Sequence, residues 1–290
     1  MPDIMIDNSI KLIVLDLDGT LFNSDKVLTQ RNRDALIRAA ALGIEIVPAT
    51  GRLVSALSPA VSSLPFLHYV IGSNGAQIFD MQKNEAIARA EIPNAEACEI
   101  LDYLHTLPVI YDCYMLDRAW MTRSMWLQGD DYAPDAQIAK MIRTIRTPVD
   151  DLRQFVRERG CGVQKIQFFA KDLQVRDDAL NELSARYPDT SVTSALVNNV
   201  EINSRNANKG TALATLADHI GILLEQTMSF GDGLNDISML KIAGVGVAMG
   251  NGCDEAKAAA DLLTDDCNHD GVAAVIEQLC EKLESKPHGA

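Results

Sequence analysis

The sequence predicts an α/β fold built on a parallel sheet with a second, inserted α+β domain, and three observations point to the sheet. Leu12-Ile13-Val14-Leu15 is apolar without alternation, the pattern of a strand covered on both faces. Strand and helix patterns then alternate along the first part of the chain. Each strand pattern there also stops at a small or polar cluster, as the ligand-bearing rim of an open α/β sheet does. The clusters are Asp16-Leu17-Asp18-Gly19-Thr20, Pro48-Ala49-Thr50-Gly51-Arg52 and Gly72-Ser73-Asn74-Gly75.

After the first strand, Thr29 caps a helix expected to run to about Leu42. Ala35, Leu36, Ala39 and Leu42 form one apolar stripe, and Gly43 ends it. Residues 44–47 and 69–71 read as the second and third strands. From about residue 87 to 194 the chain changes character, and aromatic residues concentrate there, including both tryptophans, Trp120 and Trp126. A helix is expected near 95–104, strands near 109–115, 119–122 and 163–170, a helix over 176–186 and a short strand at 191–193. From Val200 the α/β rhythm resumes. Asn208-Lys209-Gly210 opens a helix to about Ile220. Residues 226–230 form a strand ending in Gly231-Asp232-Gly233, and Val245-Gly246-Val247-Ala248-Met249 forms another, ending in Gly250-Asn251-Gly252. The tail after about Glu284 is polar and expected to fray. This places a core domain in residues 1–86 and 195–290 and an inserted domain in residues 87–194, a division that suits a chain of 290 residues.

Composition narrows the function. A formal charge of −14 and a pI near 4.7 argue against a surface that binds a nucleic-acid backbone. A small phosphorylated ligand stays possible, because a metal and a few local cations reverse the sign inside a pocket. No apolar stretch nears membrane-spanning length and no secretory leader pattern is seen, so a cytoplasmic protein without membrane partners is expected, as monomer or small homo-oligomer. The six cysteines form no Cys-x-x-Cys pair, which fits reduced thiols. The five histidines show no metal-binding spacing, so any metal should be a hard ion held by oxygen.

The rim clusters supply what phosphoryl transfer needs. Two carboxylates two residues apart stay ionised together only beside a positive charge. Asp16 suits a nucleophile that forms an aspartyl-phosphate. Asp18 suits the acid that protonates the leaving oxygen and then the base that deprotonates water. Asp232 adds a third carboxylate for a magnesium-type oxygen shell. Thr50 and the Gly51 amide offer donors to phosphate, and Lys209 at a helix start adds a cation that keeps Asp16 ionised. Taken singly, Thr50-Gly51-Arg52 and Gly231-Asp232-Gly233 read as turns and Lys209 as a solvated lysine. Their joint occurrence at four rim positions carries the reading. Arg52 either faces the substrate or pairs with an acidic neighbour. Asn74 either faces the substrate or shapes a turn.

Asp16-x-Asp18-Gly19-Thr20, Thr50-Gly51-Arg52, Lys209-Gly210 and Gly231-Asp232-Gly233-x-Asn235-Asp236 together resemble the four motifs of the haloacid dehalogenase (HAD) superfamily of phosphohydrolases. Leu28-Thr29, Ser73-Asn74-Gly75, Glu201-Ile202, Met249-Gly250-Asn251 and Asp270-Gly271-Val272 resemble its Cof-type branch. The resemblance implies a Rossmann-like core with a type-2 α/β cap inserted between the second and third motifs. It implies Mg2+ held by Asp16, the backbone carbonyl of Asp18, and Asp232, with Asn235 and Asp236 supporting phosphate and metal. The implied activity is a Mg2+-dependent phosphatase acting on a small phosphorylated metabolite, with the cap selecting the leaving group. Arg123, Trp120, Tyr114 and Lys165 are candidates for that selection. The rivals are a sugar phosphomutase of the same superfamily, a glycosyltransferase using Asp16-x-Asp18, and a sugar-phosphate-binding regulator without turnover. The glycosyltransferase leaves Lys209 and the 231–236 cluster unexplained.

Overall fold

The computed structural model describes residues 9–194 and 196–285. The described chain divides into two compact units, one formed by residues up to Ala88 and from Asn208 onward, the other by Arg89–Ala207. The polar tail expected to fray lies, from residue 286, outside the described residues.

The first unit is built on a five-stranded parallel sheet. Its strands lie in the order Leu262–Leu263, Val245–Ala248, Thr227–Gly231, Leu12–Leu15, Glu45–Pro48. The apolar run of the central strand has a direct cause. Side chains alternate between the faces of a strand, and each face here has its own core. Ile13 and Leu15 pack with Leu36, Ala39, Ile276 and Leu279, from the helices Gln30–Ala41 and Gly271–Glu284. Leu12 and Val14 pack with Leu213, Leu216 and Met239, from the helices Lys209–His219 and Ile237–Ile242. The third strand pattern departs from the sequence reading. Tyr69–Gly72 belongs to an antiparallel sheet with Gln77–Asp80 and Glu85–Arg89, joined to the parallel sheet by a single bridge between Ala49 and Ile71.

The second unit is a six-stranded sheet in the order Thr190–Thr193, Asn199–Ser204, Lys165–Ala170, Val109–Met115, Arg118–Thr122, Arg146–Val149. It is antiparallel except for the last pair. The helices Asn94–His105, Leu152–Arg159 and Leu173–Arg186 share an apolar core with it, in which Tyr111, Cys113 and Phe168 are buried. The boundary expected at residue 195 is corrected here. Asn199–Ser204 pairs with Lys165–Ala170 and buries Val200 and Ile202 in the second unit's core, so the first unit resumes only at Asn208. Two of the strands match the expected 109–115 and 119–122 within a residue, whereas Arg146–Val149 was not expected.

No helix among the described residues is long and apolar enough to cross a membrane. The six cysteines are free thiols, and Cys98, Cys113, Cys267 and Cys280 are buried.

Thr29 links the first helix of the chain to the last. Its hydroxyl accepts the Asn32 amide at 3.2 Å as the cap of Gln30–Ala41, and donates at 2.6 Å to Asp270, which precedes Gly271–Glu284. Thr29→Ala removes both bonds and is expected to cost about 1–2 kcal/mol in urea unfolding.

Candidate active site

The strand order explains where the site lies. The chain leaves Leu12–Leu15 toward Glu45–Pro48 at one edge, and later returns to the other side of Leu12–Leu15 with Thr227–Gly231. Ligands of open α/β sheets bind at the carboxyl ends of strands where the order reverses in this way. Asp16 and Asp232 leave those two neighbouring strands, and the Asp16 amide still donates to the Phe230 carbonyl at 3.0 Å. The Ala49 amide donates to the Leu15 carbonyl at 2.8 Å, which brings Thr50 to the same rim on the other side of Asp16.

Lys209 ties the rim together. It is fully buried at the start of Lys209–His219, whose cap Asn208 accepts the Thr211 amide at 2.8 Å. Its ammonium donates to Asp16 Oδ1 at 2.5 Å and to Asp236 Oδ1 at 2.6 Å. The other oxygen of Asp236 accepts the amides of Asp232 and Gly233 at 2.9 and 2.8 Å, fixing the loop that carries Asp232. Asp232 in turn accepts the Thr20 hydroxyl at 3.0 Å. Gly19 makes this possible. It sits at φ +90°, and a Cβ there would lie 2.4 Å from Asp232 Oδ2.

The electrostatics ask for more positive charge. Burial raises the Asp16 carboxyl, Lys209 opposes it, and Asp236 and Asp232 reinforce it, leaving Asp16 pushed up to about 7. Burial also raises Asp232, only partly offset by the Thr20 hydroxyl. Asp16, Asp232 and Asp236 each offer a carboxylate oxygen within 4.8 Å of the others, against a single ammonium in direct contact. An all-oxygen set with surplus negative charge fits a hard divalent cation.

Asp18 is not part of that trio. Arg52 grips its carboxylate through two bonds, Nε to Oδ2 at 2.9 Å and Nη2 to Oδ1 at 2.7 Å. Of the two alternatives open for Arg52, the structure displays the acidic pairing. Lys26 also reaches Asp18, at 3.1 Å. Burial raises the Asp18 carboxyl, but Arg52 and Lys26 outweigh it and hold the group below its ordinary value. Lys26 escaped the sequence reading. Asn23-Ser24-Asp25 marks a turn, yet nothing in residue type shows where the next side chain points. Asn235, expected to support phosphate and metal, donates at 3.1 Å to Asn74, whose sequence reading is open between facing the substrate and shaping a turn and which lies in the left-handed region. Gly51 packs beside them, since a Cβ there would lie 3.0 Å from Asn74 Oδ1.

In the second unit, the four candidates for substrate selection are placed differently. Lys165 is buried, paired with Glu201 at 3.0 Å and seated over the Tyr114 ring. Beside them Asp112 accepts Arg146 at 3.1 Å and Gln167 at 2.9 Å. Trp120 instead stacks near Phe155 and donates to the Met115 carbonyl at 2.9 Å, a packing role. Arg123 is exposed, with Asp150 3.9 Å away.

A rim of this kind belongs to an enzyme of phosphoryl transfer. A sequence profile of the haloacid dehalogenase-like hydrolases matches residues 13–276, and the chain belongs to that family, in its Cof-type branch. It is a phosphatase, a hydrolase of phosphoric monoesters. Over 285 residues it is 30% identical to phosphatase YwpJ of Bacillus subtilis, covering 93% of this chain and 99% of the relative. Over 278 residues it is 28% identical to the 5-amino-6-(5-phospho-D-ribitylamino)uracil phosphatase YcsE of the same organism, covering 93% and 96%. The crystal structure of a haloacid dehalogenase-like hydrolase from Bacteroides thetaiotaomicron superposes with a TM-score of 0.80 at 30% identity, covering 93% of this chain and 99% of that one.

Lys209→Met leaves two buried carboxylates facing each other without their shared cation. It is expected to lower metal-free stability by about 3–5 kcal/mol in chemical denaturation, and to reduce turnover on the order of a hundredfold.

Proposed function

We propose that this phosphatase hydrolyses a small phosphorylated metabolite through an aspartyl-phosphate on Asp16, with Mg2+ held by Asp16, the backbone carbonyl of Asp18, and Asp232, and with Asp236 in support. The observation that carries this is the Lys209 ammonium shared between Asp16 and Asp236, which fixes one Asp16 oxygen and leaves the carboxylate at the tip of the central strand. Bound there, Mg2+ would draw charge off the phosphoryl oxygens and the attacking carboxylate.

In the first step an Asp16 oxygen forms a bond to phosphorus while the ester P–O bond breaks, and Asp18 gives its proton to the departing oxygen. In the second, water attacks the same phosphorus, the Asp16–phosphorus bond breaks, and Asp18 takes the water's proton. Thr50 and the Gly51 amide donate to phosphoryl oxygens, and Arg52, Asn74 and Asn235 border them. Choice of leaving group is assigned to the second unit. The name of YcsE states a substrate with phosphate on a polyol chain, and that supports a metabolite of this size and polarity.

Asp16→Asn is expected to cut phosphate release from p-nitrophenyl phosphate on the order of a thousandfold or more; undiminished release would overturn the covalent route. Release of free phosphate without a bisphosphate activator separates hydrolysis from a phosphomutase. Mg2+ at about 100 times its Kd is expected to add about 2.7 kcal/mol to the unfolding free energy. Asp232→Asn should abolish most of that gain, read as a shift in melting temperature.

A further inference from the structure

The hairpin joining Tyr69–Gly72 to Gln77–Asp80 turns through successive residues in the left-handed region, Ser73 at φ 51°, Asn74 at φ 56° and Gly75 at φ 99°. Residues other than glycine enter that region at a cost. The Ser73 hydroxyl adds to it, buried without a hydrogen-bond partner. Stability does not explain such a turn, but its contacts do. The Ser73 amide donates to the Arg52 carbonyl at 2.8 Å and the Asn74 amide to the Thr50 carbonyl at 2.9 Å, on either side of Gly51. Gly75 lies against the cap of Lys209–His219, since a Cβ there would stand 2.3 Å from the Asn208 carbonyl oxygen. Asn74 Oδ1 accepts Asn235 Nδ2 at 3.1 Å. One turn therefore touches the phosphate loop, the start of the lysine helix and the 231–236 cluster.

We propose that Asn74 is a positioning residue that aims the Asn235 carboxamide at the phosphoryl group. This rests on the place given to Asn235 beside the phosphoryl oxygens above. A carboxamide nitrogen carries two hydrogens in the plane of the group. Asn74 takes one of them, while Asn235 Oδ1 turns back over Gly233, 2.7 Å from where a Cβ on that glycine would stand. With both ends held, the plane sends the second hydrogen in one direction. Asn235 is exposed, and without Asn74 its side chain must be ordered anew each time phosphate binds. Asparagine supplies both things the place requires, tolerance of the left-handed backbone and an acceptor oxygen. The backbone serves the same end. The Thr50 carbonyl and the Gly51 amide belong to one planar peptide unit and point in opposite directions, so the bond from the Asn74 amide turns the Gly51 amide away from the hairpin.

The test separates aim from direct contact and from folding. Asn74→Gly removes the side chain yet keeps the left-handed turn, so the bond to the Thr50 carbonyl survives. The parent, Asn74→Gly, Asn235→Ala and the double variant are compared in the presence of Mg2+. The readouts are the inhibition constant of inorganic phosphate and kcat/KM on p-nitrophenyl phosphate. Asn235→Ala is expected to weaken phosphate about tenfold, the loss of one hydrogen bond to a charged group. Asn74→Gly is expected to weaken it about fivefold, and only while Asn235 is present, so the double variant should match Asn235→Ala within about twofold. The same pattern is expected in kcat/KM. Melting temperatures of the parent and Asn74→Gly should agree within about 2 °C, which a merely structural role would not allow. The same loss repeated on the alanine background, or no loss from Asn74→Gly alone, overturns the proposal while leaving Asn235 at the phosphate. Unchanged phosphate inhibition in Asn235→Ala removes Asn235 from that place, and the proposal falls with it.

Discussion

A fully buried ammonium is tolerated only where carboxylates surround it, and Lys209 has two within 2.6 Å. That contact sets the rest of the rim. It aims one oxygen of Asp16, draws Asp236 inward, and through the second oxygen of Asp236 shapes the turn that presents Asp232. Burial raises both Asp16 and Asp232 above their ordinary values, and one cation among three carboxylates does not offset it. The same imbalance that would weaken an ordinary core suits the divalent ion proposed for this rim.

The parallel sheet exists to hold these groups in register. Asp16 and Asp232 follow directly on strands that pair residue for residue from Leu12 with Thr227 to Leu15 with Phe230, so the strand spacing brings them to neighbouring places on the rim. The two faces of that sheet carry separate apolar cores, which bury the central strand along its whole length. Asp16, the proposed nucleophile, sits at its tip.

Much of this was legible in the residues, for identifiable reasons. Leu12–Leu15 reads as a doubly covered strand because both side-chain sets are apolar, and Thr29 reads as a cap because its hydroxyl precedes an amphipathic stripe. The convergence of Asp16, Lys209 and Asp232 followed from each standing at a strand or helix end. What stayed hidden depends on partners that sequence spacing does not encode. Asn199–Ser204 alternates apolar and polar residues and lies just before a core helix, so nothing local marks it as a strand of the other unit; only its pairing with Lys165–Ala170 does. Arg52 on Asp18 and Lys26 beside it depend on side-chain reach across a loop. The short helices Arg123–Leu127 and Gly129–Tyr132 span too few residues to display a period.

The position of the inserted unit bears on how the chain is made. Arg89–Ala207 is continuous in sequence, so every contact inside it joins residues already synthesised by the time Ala207 appears. The central strand of the other unit must wait for partners more than 200 residues downstream, at Thr227–Phe230. Emerging from the ribosome, the middle of the protein can therefore close its core first, while Leu12–Leu15 stays half-paired and open to association until the last third of the chain arrives.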